Sequence, residues 1–448
     1  MSIATKIPPN QGSLPDAGKL EALGKDIYEL ITRMYPICRS ITGDGFRETL
    51  KIIQEYIPLE VHEVPTGTAV FDWDVPKEWN IRDAYIKNPQ GKKIVDFQEC
   101  NLHVVNYSIP VHKKVTLAEL QEHLYSIPEY PEWIPYRTSY YKENWGFCLP
   151  HQQYLALEEG EYEVYIDSSL EPGHLSYGEY YIEGESQEEV LISCHGCHPS
   201  LCNDNLSGIG VAVFLAQYLR QLPQRKYSYR FIFIPATIGA VTWLWANEEQ
   251  VERIKHGLVL TCVGDSGKFT YKKSRRGNAD IDKIMGYVLQ ESGSGYEIID
   301  FFPYGYDERQ FCSPGFNLAV GCFMRSPHGS FPEYHTSADN LDFVKPEYLA
   351  SSLSQCLSAI HILENNCTYV SQNPKCEPRL GKRGLYRSVG GQSDEPLNEL
   401  ALLWVLNLAD GSHSLLDMAV KSKLSFGEIK KAADILAKHD LLKKPLQI

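Results

Sequence analysis

Two loops rich in histidine and aspartate, far apart in the sequence, constrain the fold of this chain most. The first contains His195, His198 and Asp204, between an apolar run at 190–192, typical of a buried strand, and an apolar helical run at 209–219. In an open α/β sheet, sites form outside the carboxyl ends of the strands, so this loop is a candidate site. Imidazole and carboxylate together are a ligand set that suits zinc.

The second loop follows another apolar, strand-like run at 318–324 and contains His335 and Asp339. A single histidine-rich turn can equally be a solvated loop or a set of helix-capping groups. Two such loops, each placing His near Asp after a predicted strand, indicate the two halves of one site.

The segment around these loops alternates between strand-like and helix-like patterns. Strands are predicted at 180–182, 190–194, 229–234, 258–263, 298–302 and 318–324, and helices at 209–219, 241–247, 278–291 and 346–364. Such alternation predicts an α/β sandwich with a mixed, largely parallel central sheet. Two helical patterns within 18–57 belong to the same domain, which we assign to 1–65 and 168–375.

Residues 66–167 have a different texture, in which short aromatic and β-branched runs alternate with Pro, Gly and Asn turns. This texture predicts an inserted β-rich domain. Its aromatic cluster at 140–148 is typical of a core, and a ligand-facing role is the alternative.

The C-terminal part follows a glycine-rich and basic linker at 379–392, and we assign a winged-helix domain to 379–448. Helical patterns at 397–408, 414–421 and 426–438 have the spacing of such a unit. Apolar residues recur on each helix, at Leu403, Val405, Leu406, Leu416, Ile429, Ala433 and Leu436. The last helix mixes lysines with Glu428 and Asp434, which favours packing or dimerisation, and thus a homo-oligomer, over DNA binding.

Composition excludes several function classes. The net charge of −14 argues against nucleic-acid binding, which needs clustered Lys and Arg. We find neither an apolar window long enough for a membrane span nor a secretory signal, so we expect no membrane partner and a cytoplasmic location. The twelve cysteines are then expected to be reduced.

Together these motifs resemble the co-catalytic zinc aminopeptidases. The residues that carry the likeness are Cys197-His198-Pro199-Ser200, Asn203-Asp204-Asn205-Leu206-Ser207-Gly208 and Tyr334-His335-Thr336-Ser337. Over essentially the whole chain, the sequence is more closely similar to a bacterial aminopeptidase-like family with a β-rich insert and a C-terminal winged helix. The resemblance implies a zinc-aminopeptidase-like three-layer sandwich and a hydrolase that takes a peptide or small amide as substrate.

The resemblance also implies roles for single residues. Asp204 matches the carboxylate that bridges two zinc ions in aminopeptidases, and His335 matches the imidazole that completes the second metal position. The first imidazole is His195 by its distance from the strand, or His198 by the motif of the closer family. We favour His198 as the ligand, with His195 beside it.

The chain departs from the aminopeptidase pattern at two places. A general base and a further zinc ligand are expected after the strand at 229–234, and this chain has Ala236 where the closer family has Glu. The remaining carboxylate ligand is also missing after the next strand, where Asp265 lies four residues further on. One metal held by His198, Asp204 and His335 is therefore favoured over two.

No evident general base remains, and Asp265, Asp307 and Glu308 are the available carboxylates. Simple ion pairs with Arg275, Arg276 or Arg309 are the alternative use of these groups. Three functions stay open: a zinc-dependent amide hydrolase weakened by the loss of the base at Ala236, a non-catalytic relative that binds metal and ligand, and an interaction protein acting through the winged helix.

Overall fold

The structure is a computed structural model that describes residues 14–385 and 398–444. Its helices are α1 (Ala17–Met34), α2 (Asp44–Gln54), α3 (Leu117–Gln121), α4 (His151–Leu155), α5 (Gly208–Gln221), α6 (Ile238–Ala246), α7 (Asp280–Glu291), α8 (Glu308–Phe311), α9 (Pro346–Asn365), α10 (Glu399–Leu408), α11 (Leu415–Ser422) and α12 (Phe426–Lys438). By compactness the chain divides into two units, 1–357 and 358–448.

The strands belong to one large sheet and several small ones. They are β1 (Glu60–Pro65), β2 (Ala69–Val70), β3 (Trp73–Asp74), β4 (Glu78–Lys87), β5 (Lys93–Asp96), β6 (Val111–Thr116), β7 (Leu124–Tyr125), β8 (Phe147–Cys148), β9 (Glu161–Glu171), β10 (His174–Ile182), β11 (Glu189–His195), β12 (Ser228–Ile234), β13 (Ile254–Leu260), β14 (Phe269–Lys272), β15 (Tyr296–Ile299), β16 (Val320–Met324), β17 (Thr368–Ser371), β18 (Asp410–Ser414) and β19 (Leu442–Lys443).

The large sheet has eight strands in the order β1-β10-β12-β11-β13-β16-β14-β15. Its centre, from β12 through β11 and β13 to β16, is parallel. The strands β1 and β10 on one side, and β14 against β16 on the other, pair antiparallel. The mixed, largely parallel sheet expected from the alternating sequence pattern is therefore confirmed.

Burial shows that the centre of this sheet is covered on both faces. All seven residues of β11 and all seven of β12 are buried, so side chains pointing to either face lie under other elements. Helix α5 lies under α1 at close range, because a Cβ at Gly210 would sit 2.6 Å from the Ile27 side chain. Only a glycine lets the two helices approach this closely.

The inserted segment forms its own four-stranded sheet, in the order β5-β4-β9-β6. It encloses a separate apolar core that includes Trp145, Phe147 and Val164. None of the residues 66–171, all of which the structure describes, contributes a strand to the large sheet. The connection back to that sheet is short, because β9 ends at Glu171 and β10 begins at His174.

The C-terminal unit contains α10, α11 and α12 and a three-stranded sheet in the order β18-β17-β19. Ser414 and Ser425 cap the N-termini of α11 and α12. In each case an acidic residue three positions on accepts a hydrogen bond from the backbone N–H of the serine. The predicted apolar stripes face inward, with Leu403 and Leu406 half-buried and the other five residues buried. The sheet includes β17, which lies upstream of the start at 379 proposed from sequence.

Two findings concern the whole described chain. Across residues 14–385 and 398–444, no helix has the length and apolar character needed to cross a membrane. All twelve cysteines have free thiols, and eight of them are buried.

Candidate metal centre

The two histidine loops meet at one edge of the large sheet. Strand β11 ends at His195, and a tight turn at Cys202–Ser207 then leads into α5 and carries Asp204. Strand β16 runs parallel to β13 and β11, and the loop after it carries His335. Because parallel strands end at the same edge, the fold brings both loops together there.

Three nitrogen and oxygen atoms converge at this edge. The Nε2 atoms of His198 and His335 lie 3.2 Å apart, and the Asp204 Oδ2 atom lies 3.1 Å from His335 Nε2 and 3.6 Å from His198 Nε2. The other carboxylate oxygen of Asp204 lies 2.8 Å from His195 Nε2. Asp204 therefore faces His198 and His335 with one oxygen and His195 with the other.

Burial and the neighbouring imidazoles set the charge of this cluster. Burial alone would raise the pKa of Asp204, but His198, His195 and His335 together lower it well below its usual range. Burial lowers the pKa of His198 well below its usual value. For His195 burial acts in the same direction, but the hydrogen bond to Asp204 outweighs it and raises the pKa. The cluster thus holds an ionised carboxylate beside a neutral His198 ring.

The three converging atoms fit a zinc ion. Zinc binds imidazole nitrogen and carboxylate oxygen at about 2.0–2.2 Å, which places ligand atoms of a tetrahedral ion roughly 3.3 Å apart. The separations of 3.1, 3.2 and 3.6 Å match this spacing. At these separations, two imidazole nitrogens and a carboxylate oxygen could each offer a lone pair to one cation.

Asp339 holds the backbone that carries Asp204. Its carboxylate accepts hydrogen bonds from the backbone N–H groups of Asn203, at 2.6 Å, and of Asp204, at 2.9 Å. Burial raises the pKa of Asp339 to about 8. This positioning role was not predicted from the sequence, although Asp339 belongs to the same motif as His335 and that proximity was the available signal.

Residues of the inserted segment form hydrogen bonds with the loop that carries His335. His335 has a left-handed backbone with φ +57°, which is unfavourable for a residue with a Cβ and needs support from its surroundings. Tyr136 donates its backbone N–H to the His335 carbonyl at 2.8 Å. Ser337 and Ile134 exchange two further hydrogen bonds, of 2.8 and 3.0 Å. This pairing joins residues about two hundred positions apart, and no local sequence pattern predicts it.

Two of the predicted catalytic carboxylates have structural partners. Asp265 is buried and accepts hydrogen bonds from Asn203 Nδ2 at 2.8 Å and Ser326 Oγ at 2.7 Å. Glu308 is also buried and pairs with Lys272 at 2.7 Å, not with the arginines considered above. Both groups therefore hold loops in place in this structure.

The remaining two candidate positions differ in their access to open space. Ala236 follows β12, and its backbone N–H donates to the Cys197 sulfur at 3.2 Å while the residue lines a cavity. Asp307 lies nearby and is buried, which raises its pKa to about 6. No carboxylate stands at position 236, and within the described residues Asp307 forms no ion pair with a lysine or arginine.

The cavity has a volume of about 820 Å³ and opens onto His198 and His335. Aromatic side chains of the inserted domain, Trp73, Tyr136, Tyr140 and Tyr141, line one side of it. Within the aromatic cluster at 140–148, Tyr140 and Tyr141 line the cavity, whereas Phe147 belongs to the core of the inserted segment.

Sequence comparison places the chain with known relatives. The family described as "Domain of unknown function (DUF4910)" matches residues 28–366, and a winged helix-turn-helix family matches 367–444. A Clostridium acetobutylicum protein is 57% identical over 420 residues, which are 94% of this chain and 96% of that protein. Its name refers to polysaccharide biosynthesis and to an aminopeptidase-like domain.

Comparison with solved structures also finds relatives that share the fold of this chain. A crystal structure from Clostridium acetobutylicum, provisionally named a peptidase, has a TM-score of 0.91 and 54% identity and covers 96% of this chain and 98% of its own. A zinc aminopeptidase from Bacillus subtilis has a TM-score of 0.56 at 13% identity, covering 76% and 94%, and so shares the fold. The aminopeptidase-like fold and the C-terminal winged helix expected from the sequence are both confirmed. The chain belongs to the DUF4910 family and joins an aminopeptidase-like α/β domain to a winged helix.

Proposed function

We propose that this protein is a zinc-dependent hydrolase that cleaves an amide bond. The observation that carries the proposal is the triangle of donor atoms formed by His198 Nε2, His335 Nε2 and Asp204 Oδ2. These three atoms would hold one zinc ion and would leave a fourth position open, as in catalytic zinc sites. Zinc in such a site lowers the pKa of a coordinated water to about 7 and polarises a carbonyl group.

The chain's own residues prepare this site. His195 donates to the Oδ1 atom of Asp204, so that the Oδ2 atom stays turned toward His198 and His335. Asp339 fixes the backbone N–H of Asp204. Such outer contacts set the orientation of metal ligands and typically change metal affinity about 10–100-fold when removed.

The proposal for one ion, not two, rests on the carboxylates. A second ion would need further carboxylate ligands after β12 and after β13. At the position after β12 the chain has Ala236, which cannot bind a metal. After β13, Asp265 already accepts hydrogen bonds from Asn203 and Ser326. The same absence of a base at 236 supports the second candidate function, a metal- and ligand-binding protein with slow turnover.

Zinc binding is the first test. We expect the metal-free protein to take up one zinc per chain, measured by elemental analysis and by competition with a chelating dye. His335→Ala and Asp204→Asn should each lower the zinc affinity by more than about 100-fold, because removing a direct ligand should exceed the effect of outer contacts. His328→Ala is the matched control, since its ring contacts Tyr306 and Tyr334, not Asp204.

The outcome separates the candidate functions. Zinc binding that survives both ligand substitutions would contradict the proposed centre. If zinc binds as expected, release of free amine from a panel of amides, with zinc and with chelator, distinguishes a hydrolase from a binding protein.

A further inference from the structure

The cavity beside the metal centre carries an unusual set of charges. Arg275 and Arg309 line it together with His198, His335 and Ala236. No aspartate or glutamate of the described chain is among the lining residues. In a protein whose net charge is −14, this is a local positive region next to the proposed reaction site.

Both arginines use only part of their guanidinium N–H groups in hydrogen bonds within the described residues. Arg275 donates to Asn317 Oδ1 at 2.9 Å, and Arg309 makes one long contact of 3.4 Å to Thr237 Oγ1. The Nε atom of Arg309 is buried without a hydrogen-bond partner. Within residues 14–385 and 398–444, neither guanidinium forms an ion pair with a carboxylate.

Asp307 is the acidic group whose field reaches Arg309. Its carboxyl group is buried, which raises its pKa to about 6, although the charges of His195 and Arg309 act in the opposite direction. Asp307 does not line the cavity and does not pair with either arginine. The guanidinium groups therefore remain available to a ligand.

This arrangement distinguishes between two kinds of amide substrate. A substrate with a free amino terminus carries an ammonium group, which two nearby guanidinium groups repel and which needs a carboxylate partner. A substrate with a carboxylate or phosphate group is attracted, because arginine binds such anions through paired hydrogen bonds. The faces of Trp73, Tyr141 and Phe301 add flat apolar surface for an aromatic or sugar ring.

We infer that the substrate of this site is an anionic amide, such as an N-acylated amino acid, whose acidic group binds at Arg275 and Arg309. This inference rests on the proposed function and names its substrate class. Hydrolysis adds one water across the amide bond and yields a carboxylic acid and an amine. The acidic group that is recognised takes no part in the bond change and stays on one of the products.

Binding of four small probes to the metal-free full-length protein tests the inference. The probes are N-acetyl-L-tyrosine, its neutral amide N-acetyl-L-tyrosinamide, the cationic L-tyrosinamide, and phenyl phosphate, measured by calorimetry at low salt. We expect N-acetyl-L-tyrosine or phenyl phosphate to bind at least about tenfold more tightly than the neutral amide, because charged hydrogen bonds favour the anion. Which of the two anions binds better identifies the acidic group as carboxylate or phosphate.

Substitutions at the two arginines provide the second arm. Arg309→Gln and Arg275→Gln should each reduce the preference for the anion by about fivefold or more. Arg276→Gln is the matched control, because Arg276 is adjacent and exposed, donates to a backbone carbonyl of Asn317, and does not line the cavity. Circular dichroism of each variant verifies that the fold is retained.

Several results would overturn the inference. These are equal binding of the anions and the neutral amide, tighter binding of L-tyrosinamide, no measurable binding of either anion, or a preference unchanged by both arginine substitutions. Because these measurements need no metal, loss of the zinc centre and loss of anion recognition are separate outcomes. Anion binding without zinc binding would contradict the proposed function alone.

Discussion

Position 236 lacks the general base that the resemblance to zinc aminopeptidases implies there. A methyl group lines the cavity there, beside His198 and at the end of β12. We expect Ala236→Glu to raise the rate on a cleavable amide by at least about tenfold, because a positioned base typically contributes roughly 10²–10⁴-fold. Initial rates of amine release by the zinc-loaded protein measure this effect.

The matched control at this position is Ala236→Gln, which has the same shape as Glu but cannot accept the proton. An equal gain in rate from Gln would contradict a base at 236. Brisk hydrolysis by the unchanged protein, with no gain from Glu, would move the search to Asp307, because Asp265 and Glu308 already have structural partners.

At the scale of single residues, the sequence predicted which side chains converge at the metal centre. It did not predict which residues form hydrogen bonds or ion pairs with the buried carboxylates. His198, Asp204 and His335 were found because they follow strands whose parallel arrangement the alternating pattern predicts. Glu308 looked equally available, but Lys272, thirty-six positions earlier, pairs with it in the interior. A sequence shows that a carboxylate is present but not which distant cation neutralises it.

At the scale of elements, the pairing of 134–136 with 335–337 supports the metal loop. Ser337→Ala removes the acceptor of the buried Ile134 N–H, so we expect a loss of about 1–3 kcal/mol in the free energy of unfolding. Because the same contact supports His335, zinc affinity should fall by about tenfold. Competition with a chelating dye measures the affinity, and denaturant unfolding measures the stability.

Ser330→Ala is the control for this element, because Ser330 lies in the same loop, is exposed and bonds only to the nearby Pro327 carbonyl. An equal loss of zinc affinity in both variants would show that the contact with the insert has no special role.

Elements with local signals were predicted well, as the capped helices α11 and α12 show. This long-range pairing has no local signal, so the sequence did not indicate it.

At the scale of the whole molecule, the C-terminal unit remains to be explained. So small a unit buries little apolar surface alone, and Leu400 and Val420 stay more than half exposed on it. We propose that it mediates self-association. Truncation after Gly391 should then lower the oligomeric mass, measured by light scattering, or lower the thermal midpoint by a few degrees.

Zinc affinity serves as the control in the truncated chain and should not change, because the donor atoms all lie within 195–335. An unchanged mass together with an unchanged midpoint would contradict the proposed role. Because the net charge of −14 disfavours phosphate contacts, we do not expect DNA binding. Tight, sequence-specific DNA binding by the full chain would therefore contradict the proposed role in self-association.

The hydrogen bonds from the insert to the His335 loop have a consequence for how this family can change. If the hydrogen bond from Tyr136 strengthens metal binding, thermodynamic linkage requires that bound metal stabilises the insert by the same free energy. The same short segment, 134–141, also supplies Tyr136, Tyr140 and Tyr141 to the cavity wall. If the centre binds zinc as proposed, a mutation in 134–141 that reshapes this wall also alters zinc affinity, so substrate preference and zinc affinity change together during evolution.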